Sequence, residues 1–218
     1  MASVLEQLAC DVVAALPRLD AEGRAVGRAV YRLIAAGLPA EPATIAASTG
    51  MPAHRVATIA ASLPTASVGG DEITAFLGLQ REPGRHKITS GDQRRGAWCA
   101  WDTLFLPALV GQSARVESRC PVSGSVVRLV IDPREGVRHV SPPGTVLSFL
   151  ETPAPYSGAI QAQFCRWIHF LAGEREAQAW IAGDRSGREV PPAIVALSLA
   201  QGVELGRRTN AMIFGASR

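Results

Sequence analysis

Residues 41–63 read EPATIAASTGMPAHRVATIAASL, two short helical patterns on either side of Thr49-Gly50-Met51-Pro52. Glycine and proline punctuate the chain because one tolerates left-handed backbone and the other cannot continue a helix. The pattern predicts a helix-turn-helix. Upstream, Val4, Leu5, Leu8, Val12 and Leu16 recur at helical spacing over Ser3–Leu16, with Pro17 ending the run. Cys10 falls within this segment and is expected in the core. A second helix fits Ala21–Ala36, with Asp20 as N-cap and Gly37 as stop. Downstream, Glu72–Leu79 and Arg85–Thr89 read as strands joined by a turn-rich Gln80–Gly84, the pattern of a wing. Residues 1–90 are therefore expected to form a helical, winged-helix-like module.

The texture changes after residue 90. Trp98–Leu109 has the apolar spacing of a buried helix, interrupted by Pro107. Strands are expected at Ala114–Ser118, Ser125–Ile131 and Val146–Leu150, with Pro/Gly-rich separators at Ser141–Gly144 and Thr152–Gly158. Phe164–Ala172 reads as extended, Glu174–Ala182 as helix, Ile194–Leu199 as a strand, and the segment up to Phe214 as weakly helical. The fold class is α+β: a helical module, then residues 91–218 as a catalytic core built on a mixed or antiparallel sheet with flanking helices.

Composition narrows the function classes. A chain of 218 residues with 47% hydrophobic residues can bury a sizeable core and is not disordered. Its net charge of +3 implies no polyanionic partner, and 21 of its 22 basic residues are arginine, Lys87 being the exception. Over residues 1–80, five arginines face seven acids, a net −2, and the second helix of the helix-turn-helix carries one cation, Arg55. DNA affinity rests mainly on neutralising phosphates, so nucleic acid is not the expected partner. The first 16 residues lack a basic region, an apolar stretch and a cleavage site, and no apolar run approaches the roughly 20 residues of a membrane span. The expected location is the cytoplasm, with no membrane association.

In that compartment the four cysteines, Cys10, Cys99, Cys120 and Cys165, are expected to stay reduced. No close-spaced pair of the kind that builds a zinc site exists. Three readings stay open: inert buried thiols, a nucleophile, or a soft-metal site assembled by the fold. Residues 94–105, RRGAWCAWDTLF, place Cys99 and Asp102 three apart, on one face of a helix. A helix beginning near Trp98 would favour the Cys99 thiolate through its dipole, and an apolar setting would make Asp102 hold its proton. Equally, Asp102 could merely cap a turn and Cys99 be a small core hydrophobe. Residues 164–170, FCRWIHF, add Cys165, with Trp167 and His169 alternating along the expected strand; His169 by itself reads as a hydrogen-bonded core residue. Cys120, before Pro121, reads as structural.

Taken together, residues 98–104 (WCAWDTL), the Cys120 turn with Ser123-Gly124, and Phe164-Cys165 before His169-Phe170 resemble the organomercurial (alkylmercury) lyases. The resemblance is most specific from Arg94 to Phe170. It implies cleavage of carbon–mercury bonds, with Cys99 and Cys165 as mercury ligands, Asp102 as proton donor and acceptor, and Cys120 as structural. It implies no resident cofactor: Hg(II) is a product, removed by cytosolic thiols or handed to mercuric reductase. Two positions depart from the pattern, Gly96 where some members carry tyrosine and Arg166 where some carry another cysteine. The competing reading is a winged-helix regulator that senses a thiophilic metal or oxidant through Cys99 and Cys165.

DNA affinity separates the two readings. Fluorescence anisotropy with duplex DNA at near-physiological salt, with and without Hg²⁺, should show no sequence-selective binding tighter than about micromolar. Tighter binding that responds to mercury would favour the regulator.

Overall fold

The computed structural model describes residues 4–16, 18–63, 66–151, 160–183 and 193–215; the expected break at Pro17 and the separator at Thr152–Gly158 lie outside them. Four helices come first, α1 (Val4–Ala15), α2 (Ala21–Ala36), α3 (Pro42–Thr49) and α4 (Ala53–Ser62). Strands β1 (Ser67–Gly69), β2 (Glu72–Phe76), β3 (Leu79–Gln80), β4 (His86–Ser90) and β5 (Gln93–Ala97) lead into helix α5 (Ala100–Val110). Then follow β6 (Ala114–Arg119), β7 (Val126–Asp132), β8 (Gly136–Ser141), β9 (Val146–Leu150), α6 (Ile160–Gln163), a 3₁₀ turn at Cys165–Trp167, β10 (Phe170–Leu171), α7 (Glu174–Ala182), β11 (Ile194–Leu197) and α8 (Leu199–Phe214). The class is α+β. Eight strands form an antiparallel sheet in the order β1-β2-β3-β5-β4-β6-β7-β8, and β10-β9-β11 form a second, smaller one.

Local chemistry explains the best-defined ends. Asp20 accepts from the Gly23 N–H at 2.7 Å, satisfying one of the free donors at the start of α2. Gly37 ends that helix at φ 79°, with its N–H on the Ile34 carbonyl. Between α3 and α4, Gly50 takes the left-handed conformation the sequence pattern required. Arg55, the lone cation of α4, is paired with Glu22 of α2 and is not displayed for phosphates.

The strand predicted over Glu72–Leu79 is broken by Leu77 and Gly78, both at positive φ, which reverse the chain directly after Phe76. β2 therefore pairs with β3, and β5 lies between β3 and β4. The expected wing, Glu72–Leu79 against Arg85–Thr89, does not form. The expected division after residue 90 falls in the β4–β5 hairpin, within one continuous sheet. Arg95 of β5 donates to the Ile34 carbonyl at 2.6 Å, tying that hairpin to the end of α2. One apolar core runs through both halves, from Leu8, Val26 and Ile34 to Leu104, Leu147 and Val203.

Helix α5 runs on through Pro107 to Val110, close to the bounds expected. Two further expectations are corrected. Phe164–Ala172 is a 3₁₀ turn and a two-residue strand, not an extended run, because Ser148 of β9 captures its backbone. Cys10 is exposed, on the side of α1 away from the buried Leu8, Ala9, Val12 and Ala15.

Helix α8 packs on α5 through glycines. A Cβ on Gly206 would stand 2.5 Å from the Phe105 Cβ, whereas one on Gly202 would meet the methyl ends of Leu104 and Leu147 at 2.8 and 2.9 Å. Methyl ends can swing aside; a Cβ next to the backbone cannot. We expect Gly206→Ala to lower unfolding free energy by about 1–3 kcal/mol, the usual cost of overpacking, and Gly202→Ala to cost less. Urea denaturation of both variants checks the order, and equal losses would refute it.

Candidate active site

The thiol of Cys99, the carboxyl of Asp102 and the thiol of Cys165 converge, with their ligand atoms all within 4.8 Å of one another. All three residues are buried. Cys99 and Asp102 meet through the architecture of the first turn of α5. Cys99 is its N-cap, in extended backbone, and Asp102 is three residues on. The Cys99 N–H donates to Asp102 Oδ2 at 2.8 Å, and the Asp102 N–H points back at the Cys99 sulfur. This is a capping box with a thiol in the place usually held by serine or threonine. Asp102 does cap the helix start, and the same bond sets its carboxyl beside the sulfur.

Cys165 arrives from the other side of the core. Its 3₁₀ turn is held by the Ser148 hydroxyl, which donates to the Trp167 carbonyl at 2.7 Å and accepts from the His169 N–H at 2.8 Å. The Ala100 N–H donates to the Ile168 carbonyl at 3.2 Å, fastening the turn to α5. His169 Nε2 lies 2.9 Å from the Arg166 carbonyl. A carbonyl can only accept, so Nε2 carries the proton and Nδ1 is a bare lone pair. Burial first, and the charge of Arg85 second, lower the His169 pKa to about 4. His169 is thus a neutral, hydrogen-bonded core residue that braces the Cys165 turn.

Burial dominates the electrostatics. It raises the Asp102 pKa to about 7, against the hydrogen bonds from the Cys99 thiol and N–H. It raises the Cys99 thiol well above its ordinary value, with the Cys165 contact and the Asp102 charge adding to it and the Asp102 N–H opposing. The sequence led us to expect helix-dipole activation of this thiol; the N–H is there, but desolvation outweighs it. For Cys165, the hydrogen bond from Cys99 pulls the value down, yet burial and the Asp102 charge leave it raised. At neutral pH the site holds two neutral thiols and a carboxyl poised to give or take a proton.

An apolar cavity of about 40 Å³ opens on this cluster. Its walls include Val12 and Leu16 of α1, Tyr31 of α2, Leu77, Gly78, Trp98, Phe164, and Ile213 and Phe214 of α8. The Trp98 indole N–H is buried without a hydrogen-bond partner among the described residues. Gly96 takes no part: a Cβ there would strike the Glu82 carbonyl at 2.3 Å and Gln80, so the residue faces a strand junction. Arg166 lies over the Trp167 ring at 4.5 Å. Cys120 is buried in a separate small cluster with Leu171 and Ala177. Burial raises its pKa, but hydrogen bonds from the Ser123 side chain and from the N–H groups of Ser123, Ala172 and Val122 outweigh that and leave it lowered. A wider groove of about 710 Å³ on the face of β4, β6, β7 and β8 bears Lys87, Arg94, Arg115 and Arg128 and holds none of the cysteines.

Tyr31, Leu77, Gly78 and Trp98 are wall residues that sequence reasoning did not single out. The signal for Tyr31 was its presence as one of two tyrosines, in a helix whose other large buried side chains are aliphatic. Gly78, between two apolar runs, carried a turn signal that was placed a few residues too late.

Two thiols and a carboxyl with a pKa near 7, gathered beside a dry pocket, are a group able to hold a thiophilic metal and to move a proton next to it. Comparison with known proteins agrees with that chemistry. Residues 79–210 match the family described as alkylmercury lyase. An alkylmercury lyase of Bacillus cereus is 32% identical over 180 residues, 83% of this chain and 78% of its own. One of Pseudomonas putida is 34% identical over 170 residues, 78% of each chain. The fold matches a solved structure of the mercury-bound form of MerB2, with TM-score 0.72 and 21% identity over 96% of this chain and 98% of that one. The chain belongs to the alkylmercury lyase family.

The raised Asp102 value has a stability consequence. Its folded pKa, about 7, exceeds that of an unfolded chain, so the folded protein holds the proton more tightly. The stability this adds is complete below about pH 4, near the ordinary aspartate value, and is lost as pH rises through about 7. Asp102→Asn has no such proton to lose. Urea denaturation at about pH 5 and about pH 8 should show wild type losing ground to Asp102→Asn at the higher pH. A constant difference would mean an ordinary, ionised carboxylate.

Proposed function

We propose that this protein cleaves the carbon–mercury bond of organomercurials by protonolysis, with Cys99, Cys165 and Asp102 as the reacting groups. The observation that carries this reading is the buried cluster of two thiols and one carboxyl within 4.8 Å, its carboxyl titrating near neutrality. Mercury(II) is a soft cation and thiolate the softest ligand a protein offers. A mercurial arrives as R–Hg–SR′. One cysteine displaces the carrier thiolate, which leaves as HS–R′ with that cysteine's proton. The second thiol gives its proton to Asp102 as its sulfur binds mercury. Two thiolates on mercury raise the electron density on the attached carbon, and Asp102 returns the proton to that carbon as the carbon–mercury bond breaks. The products are R–H and Hg(II) held by Cys99 and Cys165. Both protons come from the two thiols, so no redox cofactor or resident metal is required.

In this reading cytosolic thiols deliver the substrate and remove Hg(II), directly or to mercuric reductase, and the protein works in the cytoplasm. The α3–α4 pair serves as a helix-turn-helix scaffold without a DNA role, supported by the Glu22–Arg55 pairing and the net acidic first 80 residues.

Cys99→Ser and Cys165→Ser should each abolish turnover in a folded protein, since a hydroxyl is a poor mercury ligand. Asp102→Asn should still capture a phenylmercuric salt, yet release benzene about 10²- to 10⁴-fold more slowly, the usual range for a lost general acid–base. Single-turnover benzene release, with intact-protein mass spectrometry of the trapped adduct, reads both effects. Equal rates for wild type and Asp102→Asn would move the proton source elsewhere.

A further inference from the structure

Leu77 is the one non-glycine residue among those described with positive φ, at 34°, and Gly78 follows at 100°. Left-handed backbone is costly for a leucine and persists only where its surroundings impose it. Two hydrogen bonds impose it here. The Tyr31 hydroxyl donates to the Leu77 carbonyl at 2.7 Å, and the Gly78 carbonyl accepts from the Trp98 N–H at 2.9 Å. The Tyr31 ring is itself wedged between Phe76 and Phe214, with centroids at 5.2 and 5.7 Å, and is 2% exposed.

The turn so held rests directly on Asp102. A Cβ on Gly78 would stand 2.4 Å from Asp102 Oδ1 and 2.6 Å from its Cγ, so only glycine admits the carboxyl. The other oxygen, Oδ2, is fixed by the Cys99 N–H. That bond and the one from the Cys99 thiol both come from a single residue, and they leave the carboxyl free to rock on its other side. The Gly78 backbone closes that freedom, and the carboxyl is gripped between two stretches of main chain. Proton delivery falls steeply with misplacement of the donor, so what holds the turn holds the chemistry.

We propose that Tyr31, acting through the Leu77–Gly78 turn, is a positioning residue for Asp102, a role that rests on Asp102 being the proton carrier proposed above. Tyr31 is not a catalytic residue: its hydroxyl is spent on a backbone carbonyl. Its ring is retained in Tyr31→Phe, which removes the hydroxyl and leaves the aromatic packing in place.

The test is a double-mutant cycle on the full chain, comparing wild type, Tyr31→Phe, Asp102→Asn and the double variant. Each is loaded with one equivalent of phenylmercuric acetate and followed for single-turnover benzene release. Hg²⁺ capture by the cysteine pair is titrated in parallel against a competing thiol. We expect Tyr31→Phe to slow benzene release about tenfold or more with Hg²⁺ capture unchanged, and to cause no further slowing in the Asp102→Asn background. Gly78→Ala should reproduce this pattern with Tyr31 intact. Wild-type release by Tyr31→Phe, equal slowing in both backgrounds, or capture and cleavage falling together would each overturn the positioning role. A wild-type protein that releases no benzene would instead sink the proposed function, which distinguishes the two failures.

Discussion

A carboxyl group shares the first turn of a buried helix with a thiol, and the elements packed around that turn hold both away from water. Residues Ala100–Pro107 of α5 are all buried, so this helix has no solvent face over its first two turns. The rest of the architecture supplies its cover. The long sheet lies along one side, α2 and the glycine-lined face of α8 along others, and the Cys165 turn closes the N-terminal end. The Trp101 indole, deep in this packing, donates to the Gly202 carbonyl at 3.0 Å and locks α5 to α8.

Two opposing effects meet at Cys99, and their sizes decide which prevails. A helix N-terminus favours an anion by about 0.3–1 kcal/mol at the surface and up to about 2 kcal/mol in partly buried geometry. Taking a charged group out of water costs several kcal/mol even after relaxation. The thiol is therefore neutral at rest, unlike the activated cysteines found at exposed helix starts. The arrangement suits a ligand that brings its own positive charge: once a cation binds, the penalty on the thiolates is offset by the metal itself. The resting site avoids stray thiolate chemistry while keeping both sulfurs in place.

How much of this was legible in the sequence differs from element to element. The i, i+3 spacing of Cys99 and Asp102 carried the local half of the site, since a capping box needs only local order. The caps of α2 and the bounds of α7 were equally local. Cys165 could be joined to them only through the family resemblance, because its approach depends on Ser148, seventeen residues earlier in another strand. The same tertiary bonds explain why an apolar, alternating segment became a 3₁₀ turn. β5, with sequence QRRGA, has no β-branched residue and is a strand because β3 and β4 pair with both its edges. α8 looked weak because Gly202 and Gly206 lower helix propensity, and those glycines are what let it approach α5. A reciprocal cap between Ser198 and Gln201 was readable at its start and marks the boundary that was placed a residue late. Cys10 was a plain error of helical phase: two residues from Leu8 and from Val12, it sits on the opposite side of α1.

The cavity beside the cysteines offers only about 40 Å³. A phenyl group needs more room than that, and the walls that would have to yield include Val12 and Leu16 of α1 and Ile213 and Phe214 of α8. The dryness that lifts the carboxyl's pKa to about 7 thus also leaves little standing room for a bulky group, whose admission requires these helix faces to move. Room at the site is set by how α1 and α8 pack against each other, and not by the reacting groups themselves.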